Sequence, residues 1–313
     1  MKITPHRPMI AWAFLLALLG SCGAARAWAA AHAVDELRPA DPQGQVEISS
    51  VSGRIEVIGW DRPEVQVSGT LGADTDRLDI SSAGGRTTIR VVPADSEGRH
   101  WSLGTHSMRD AFLTVHVPRT GAVSASLVRA ELAVRDVLGD QELQSVSGQI
   151  TSAAAHDVRI HTVSGDVRLI AGADAGLLEI GTVSGDVDVT GGHGDVSVNT
   201  VSGGARLALG TVTHARFKSI SGDYHIRASL AADGVLEAQS VSGDIDIDFT
   251  GGEPAAEFEL HSFSGDLKAC FGPKQTHENY GLGSRLSFRE GAGGARVRID
   301  TQSGDVSLCA QRS

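Results

Sequence analysis

From Val146 onward the chain alternates apolar and polar residues with a period of two, and the alternation restarts about every twenty residues at a serine. Six copies read Ser-Gly-Asp, beginning at Ser164, Ser184, Ser221, Ser242, Ser264 and Ser303. Ser147-Gly148-Gln149 and Ser202-Gly203-Gly204 are weaker copies, and Ser52-Gly53-Arg54 is an outlying one. With the serine numbered n, positions n−6 and n−4 are apolar (Val158 and Ile160, Leu178 and Ile180), and so are n+3 and n+5 (Val167 and Leu169, Val187 and Val189). Period two on both sides of the serine predicts two short strands per unit, each with one apolar face. So thin a unit cannot bury its own face, and a fixed period predicts a stack of such units. The expected fold is all-β: a parallel β-helix-like β-solenoid with two short strands per repeat of roughly twenty residues, running over 123–310.

Position n−1 is apolar in nearly every copy (Val163, Val183, Val201, Ile220, Val241, Phe263), whereas n−2 is always Ser or Thr. Neighbouring positions on a regular strand cannot both point inward, so the chain must bend or bulge at the serine. Gly at n+1 suits such a corner. Counted from Ser147, the serines are 17, 20, 18, 19, 21, 22 and 39 residues apart. Variation of that kind belongs in the Gly-rich turns between strands, such as Gly172-Ala173-Asp174. Val128-Arg129-Ala130 extends the array back by one copy, with Arg129 in place of the serine.

Residues 34–122 are β-rich but out of phase with the later copies, and are expected to cap the N-terminal end. Pro93 to Asp110 reads as a polar loop. An insertion over 271–296, with an extra strand from Arg285 to Phe288, is expected to close the other end, because a bare sheet edge invites aggregation.

Residues 1–29 have the form of an export signal: Lys2 and Arg7, then an apolar run from Met9 to Leu19 too short to span a bilayer, then Ala-x-Ala cleavage candidates. Leu19-Gly20-Ser21-Cys22 also fits a lipoprotein signal, which would place a lipid anchor on Cys22. No later segment is apolar enough to form a transmembrane helix. Export removes Lys2, Arg7 and Arg26 and no acid, leaving 24 basic residues against 38 acidic, a balance of −14. That excess argues against nucleic acid and anionic lipid surfaces as direct partners. Cys270 and Cys309 each lie six residues after a repeat serine, in consecutive copies. Equal phase places them side by side, and an exported chain enters a compartment that permits the bond, so a disulfide is expected.

The Asp column at n+2 admits two readings. Stacked carboxylates could hold calcium, or each Asp could accept backbone N–H groups at the corner. Gly204 and Gln149 interrupt the column without breaking the array, which favours the second; no cofactor or metal is expected. The repeat serines lack a Gly-x-Ser-x-Gly elbow, His161 and His261 fall at an outward position, and no His/Cys spacing matches zinc. Polysaccharide-acting β-helix enzymes have longer rungs and clustered Asp, Arg and Lys. Few exposed aromatics are available for sugar binding; Arg99, His100 and Trp101, in the polar loop, form the best candidate binding spot.

Repeated Val-Ser-Gly-Asp-Val strands behind a signal segment, together with Val-Glu-Ile-Ser-Ser-Val-Ser-Gly-Arg-Ile-Glu-Val-Ile-Gly over 46–59, resemble the bacterial putative-adhesin domains, β-strand-repeat proteins of largely uncharacterised function. The resemblance covers residues 45–310 and supplies no catalytic residue. It implies a non-enzymatic, exported cell-envelope protein, periplasmic or on the outer-membrane surface, acting as an interaction scaffold for another envelope protein or a surface polymer. A polysaccharide-acting enzyme and a structural or stress-related periplasmic factor are the competing readings.

Overall fold

The computed structural model of the chain describes residues 32–72, 75–93, 111–272 and 283–311. They contain no helix, and none of them is part of a helix long and apolar enough to cross a membrane. In chain order the strands begin with β1 (His32–Pro39), β2 (Gln45–Trp60), β3 (Glu64–Leu71), β4 (Thr75–Ala83), β5 (Arg86–Pro93), β6 (Ala111–Pro118) and β7 (Ala122–Val137). Next come β8 (Gln141–Ser147), β9 (Ile150–Ala154), β10 (Val158–Ser164), β11 (Val167–Ala171), β12 (Leu177–Ser184), β13 (Val187–Gly191) and β14 (Gly194–Ser202). The last are β15 (Ala205–Ser221), β16 (Tyr224–Ser242), β17 (Ile245–Phe249), β18 (Ala256–Ser264), β19 (Leu267–Ala269), β20 (Ser284–Arg289), β21 (Ala295–Ser303) and β22 (Val306–Ala310).

Two mainly parallel ladders result. The segments before each repeat serine form one, from β5 through the first half of β2, β7, β8, β10, β12, β14, the second halves of β15 and β16, and on to β21 and β18. The segments after the serine form the other, from β6 through the second half of β2, β7, β9, β11, β13, the first halves of β15 and β16, β17, β22 and β19. Serine faces serine along the first ladder: Ser164 pairs with Ser147 on one side and Ser184 on the other. The inward residues of both ladders, such as Val158, Ile160, Val167 and Leu169, are at most 1 % exposed and form one core along the axis. Burying such side chains contributes about 1.5–3 kcal/mol each, and because each rung contacts only its neighbours the stability accumulates along the stack.

The corners are closed by backbone. Gly165 N–H donates to Ser184 O at 3.1 Å and Val167 N–H to Asp186 O at 2.9 Å, so alternate donors bond to the next rung. The N–H between them faces the previous rung, where the Asp carboxylate accepts it: Asp186 N–H bonds to Asp166 Oδ1 (3.1 Å), Gly204 N–H to Asp186 Oδ1 (2.9 Å) and Asp244 N–H to Asp223 Oδ1 (2.9 Å). The Asp column is thus a line of backbone caps running from rung to rung. The glycine beside it is required sterically. Gly203 has φ +130°, and a Cβ there would lie 2.3 Å from Gly185 O.

Two features depart from the order expected. The ladder does not begin at residue 123: β2 pairs in parallel with β7 over both halves, with Ser52 opposite Arg129 and Arg129 opposite Ser147. The Ser52 copy is therefore a rung of the same stack, and β5 and β6 form a further rung outside it. At the other end, β21 and β22 lie between the rung of β16 and β17 and the rung of β18 and β19. The last copy in sequence is next to last in space. Its 39-residue spacing leaves enough chain for the excursion.

Antiparallel strands cover the outer rungs. At the N-terminal end β3 pairs with β6, β1 with β3, and β4 with β5; at the C-terminal end β20 pairs with β18. Reversed strands interrupt the parallel template that would otherwise recruit another chain. Phe249, Phe258, Phe271 and Phe288 fill the core at the C-terminal end, with Phe258 and Phe288 stacked at 4.7 Å between centroids. Cys270 and Cys309 are joined with Cα atoms 4.9 Å apart, tying the outer rung to the inserted one.

Candidate functional site

Strand parity decides what the corner exposes. Because n−6, n−4 and n−2 point inward, n−1 must point out, whatever its hydrophobicity. The Ser/Thr column is accordingly buried (Ser145, Thr162, Thr182, Thr200, Ser219, Ser240), and the apolar column stands in solvent. Val128, Val146, Val163, Val183, Val201, Ile220 and Val241 are each 41–53 % exposed, on seven consecutive rungs. Gln302 of the inserted rung breaks the column before Phe263. The neighbouring outward row, at n−3, carries Gln144, His161, Gly181, Asn199, Lys218 and Gln239. The two rows form a shallow groove of about 850 Å³ along the solenoid axis.

The electrostatics of this groove differ from those of the remaining surface. Elsewhere, cross-rung ion pairs coat the sheets: Arg54–Glu131 at 2.6 Å, Arg135–Glu56 at 2.7 Å and Arg216–Glu237 at 3.1 Å. Such exposed pairs are worth about 0–1 kcal/mol apiece, but they leave those faces self-satisfied. A second depression of about 610 Å³ on the other sheet is lined by such a lattice, including Asp188, Arg206, Arg227 and Asp248. Among the described residues, no carboxylate lines the apolar groove. Lys218 stands on its edge, and its ammonium makes no ion pair among the described residues.

The residues singled out from sequence fall elsewhere. Arg99, His100, Trp101 and Cys22 lie outside the described residues. His161 faces outward, and becomes part of the groove edge. Trp60 is an anchor: its indole N–H donates to Glu64 O at 2.8 Å, its ring stacks on His116 at 5.0 Å, and the Arg62 guanidinium lies over the ring at 4.9 Å. Asp140, from the β7–β8 turn, meets His156 and Asp157, from the β9–β10 turn, with ligand-type atoms within 4.8 Å of one another. The Asp140 carboxylate, hydrogen-bonded to His156, raises the imidazole above its ordinary pKa, and Asp157 accepts Leu177 N–H at 3.1 Å, so this trio is an ion pair beside a backbone cap.

This stack of rungs is recognisable across the sequence. The Toastrack DUF4097 family profile matches residues 45–309. The chain belongs to that family. The family match starts at the β2 rung, as the ladders do. No curated protein matches the sequence. Solved structures similar to this chain include a putative adhesin from Bacteroides fragilis NCTC 9343 (9 % identity, 88 % of this chain and 97 % of that one, TM-score 0.38). Another is a putative adhesin from Parabacteroides merdae ATCC 43184 (11 % identity, 88 % and 95 % covered, TM-score 0.38). A third, a putative lipid binding protein from Parabacteroides distasonis ATCC 8503, has 10 % identity, 88 % and 96 % covered and a TM-score of 0.39. Likeness at these identities and scores carries nothing about what this Toastrack chain binds.

Proposed function

We propose that this protein is a non-enzymatic, exported interaction scaffold of the bacterial cell envelope, which holds a partner against the apolar groove at its repeat corner. Each Ser-Gly-Asp unit is read as one two-strand rung, and residues 1–29 as the segment that directs export, with lipid attachment at Cys22 as the variant of that route. The observation that carries the reading is the line of half-exposed valines and Ile220. Contiguous apolar surface on a folded chain marks a place of contact, and here one outward column stays apolar over seven rungs while ion pairs cross the sheets elsewhere. The rigidity of a stack tied by backbone caps and a disulfide suits a surface that must hold a fixed shape.

The test is retention of a partner. Cells are fractionated to place the protein, and the purified chain is immobilised and washed with envelope extract. An envelope protein or surface polymer should be retained by the wild type and lost with Val183→Asp, with Trp101→Ala as the comparison for the polar loop. Retention unaffected by Val183→Asp, residence in the cytoplasm, or breakdown of a polysaccharide by the purified protein would each defeat the reading.

A further inference from the structure

Resting on the groove reading above, we infer that the groove takes a single extended aliphatic chain of an anionic amphiphile, lying along the solenoid axis with its charged end at Lys218. The width of the stripe limits what can cover it. Seven rungs at a spacing of about 4.8 Å give a length of about 29 Å, and one side chain of width, about 7 Å, gives roughly 200 Å², well short of the ~800 Å² per partner of a standard interface. A second copy of this chain therefore gains too little by docking here.

An extended peptide is also poorly served. Its backbone needs hydrogen-bond partners, and the strands beneath the groove spend their ladder N–H and C=O groups on one another, as in the Val183-bearing strand β12 between β10 and β14. A peptide lying across them would meet aliphatic side chains instead. An unbranched hydrocarbon needs no such partners and matches a straight apolar line.

Charge sets the polarity of the occupant. The protein has 38 acidic residues against 27 basic ones, yet among the described residues no acid lines the groove and Lys218 has no carboxylate partner. From Lys218 and its neighbour Ile220 the stripe continues over Val201, Val183, Val163 and Val146, four rung spacings or about 19 Å. A single acyl chain, half of a hydrocarbon core about 30 Å thick, extends about 15 Å. The room suffices for one full chain with its anionic end at the ammonium. A bilayer surface is a worse fit, since many anionic headgroups would face the net charge of −11 spread over the whole surface, whereas a single amphiphile sets one charge at Lys218.

The experiment is calorimetric titration of the full chain with saturated fatty acids of eight to sixteen carbons. Affinity should rise about fourfold for each two carbons added, as for a chain covered on one side. Val183→Asp should abolish binding, whereas Ile170→Asp, at a residue still more exposed (64 % against 47 %) but on the other sheet, should leave it unchanged. Lys218→Gln should lower dodecanoate affinity five- to tenfold and leave dodecyl maltoside unaffected. Affinity independent of chain length in the wild type overturns the inference, and needs no variant to fold. So does binding that survives Val183→Asp. If no fatty acid binds while an envelope partner is still lost with Val183→Asp, the amphiphile is wrong and the scaffold stands; if neither binds at this face, both fail.

Discussion

The Asp244 carboxylate accepts the backbone N–H of Asp305 at 2.8 Å, and Asp305 in turn accepts that of Asp266 at 2.8 Å. The caps therefore follow spatial order and skip sequence order: the chain passes from Asp244 to Asp266 and only later returns to place Asp305 between them. The same device reads in reverse at the N-terminal end, where β5 and β6 lie outside β2. At each end of the stack a rung is thus held inside one made later or earlier in the sequence.

Removing one cap should be felt at this join. Asp244→Ala takes the acceptor from Asp305 N–H and is expected to cost about 1 kcal/mol in urea unfolding. Asp244→Asn keeps an oxygen in place and should cost less than half of that. Equal losses for the two variants would mean that the charge of the column, and not its acceptor, matters.

The disulfide holds the inserted rung. Closing a loop with a separation of 39 residues is worth about 4 kcal/mol in the chain-entropy model, so the Cys270→Ser, Cys309→Ser double variant should lose roughly that amount. Hydrogen exchange should then accelerate first in β21 and β22, which lack any covalent tie. Labelling of denatured, unreduced protein should find neither Cys270 nor Cys309 free; two reactive thiols there would sink the assignment.

Much of this was legible because a period of two and a fixed phase carry over directly to three dimensions: Val167 in, Asp166 out, Cys270 beside Cys309. What escaped has physical causes. The apolar residues at n−1 look like core by hydrophobicity, but parity from n−6 and n−4 forces Val163 and Val183 outward and Thr162 and Thr182 inward; counting onward by twos would have exposed the groove. The Ser52 copy lost its phase to a 77-residue gap before Arg129, filled by β3 to β6, although its pairing is local in space. The exchange of the last two rungs leaves no mark on periodicity at all, because every rung is complementary to every other. Only the doubled spacing and Gln302 hinted at it.

The buried Ser/Thr column supplies a matched pair of tests. Thr182 Oγ1 is buried with no hydrogen-bond partner among the described residues, whereas Thr200 Oγ1 meets Ser219 Oγ at 3.3 Å and Tyr224 Oη at 3.4 Å. A buried hydroxyl without a partner costs about 1–3 kcal/mol. Thr182→Val, which keeps the shape, should therefore raise stability by about 1 kcal/mol, and Thr200→Val should lower it by about as much. The thermal midpoints of the two variants should move in opposite directions.

Tyr224 gives the fold an alkaline limit. Its ring is 1 % exposed, packed beside Phe217, and its hydroxyl donates to Lys218 O at 2.7 Å, with Val198 O at 3.1 Å. Burial pushes the phenol up to about 12, partly offset by its contacts with Thr200 and Lys218. The unfolded chain releases this proton near pH 10, and the folded chain keeps it until about 12. The unfolded state therefore binds fewer protons across that window, and stability falls with rising pH by about 1.4 kcal/mol per unit. Below pH 10 the contribution is complete. Tyr224→Phe loses the hydroxyl's bonds and should start about 1 kcal/mol less stable near neutrality. It lacks the titrating group, so its disadvantage should vanish and then reverse between pH 10 and 12. The difference between wild-type and variant unfolding free energies, followed across that range, cancels the lysines and arginines common to both. Parallel profiles would show that the phenol ionises without hindrance and that Tyr224 is not sealed within the core.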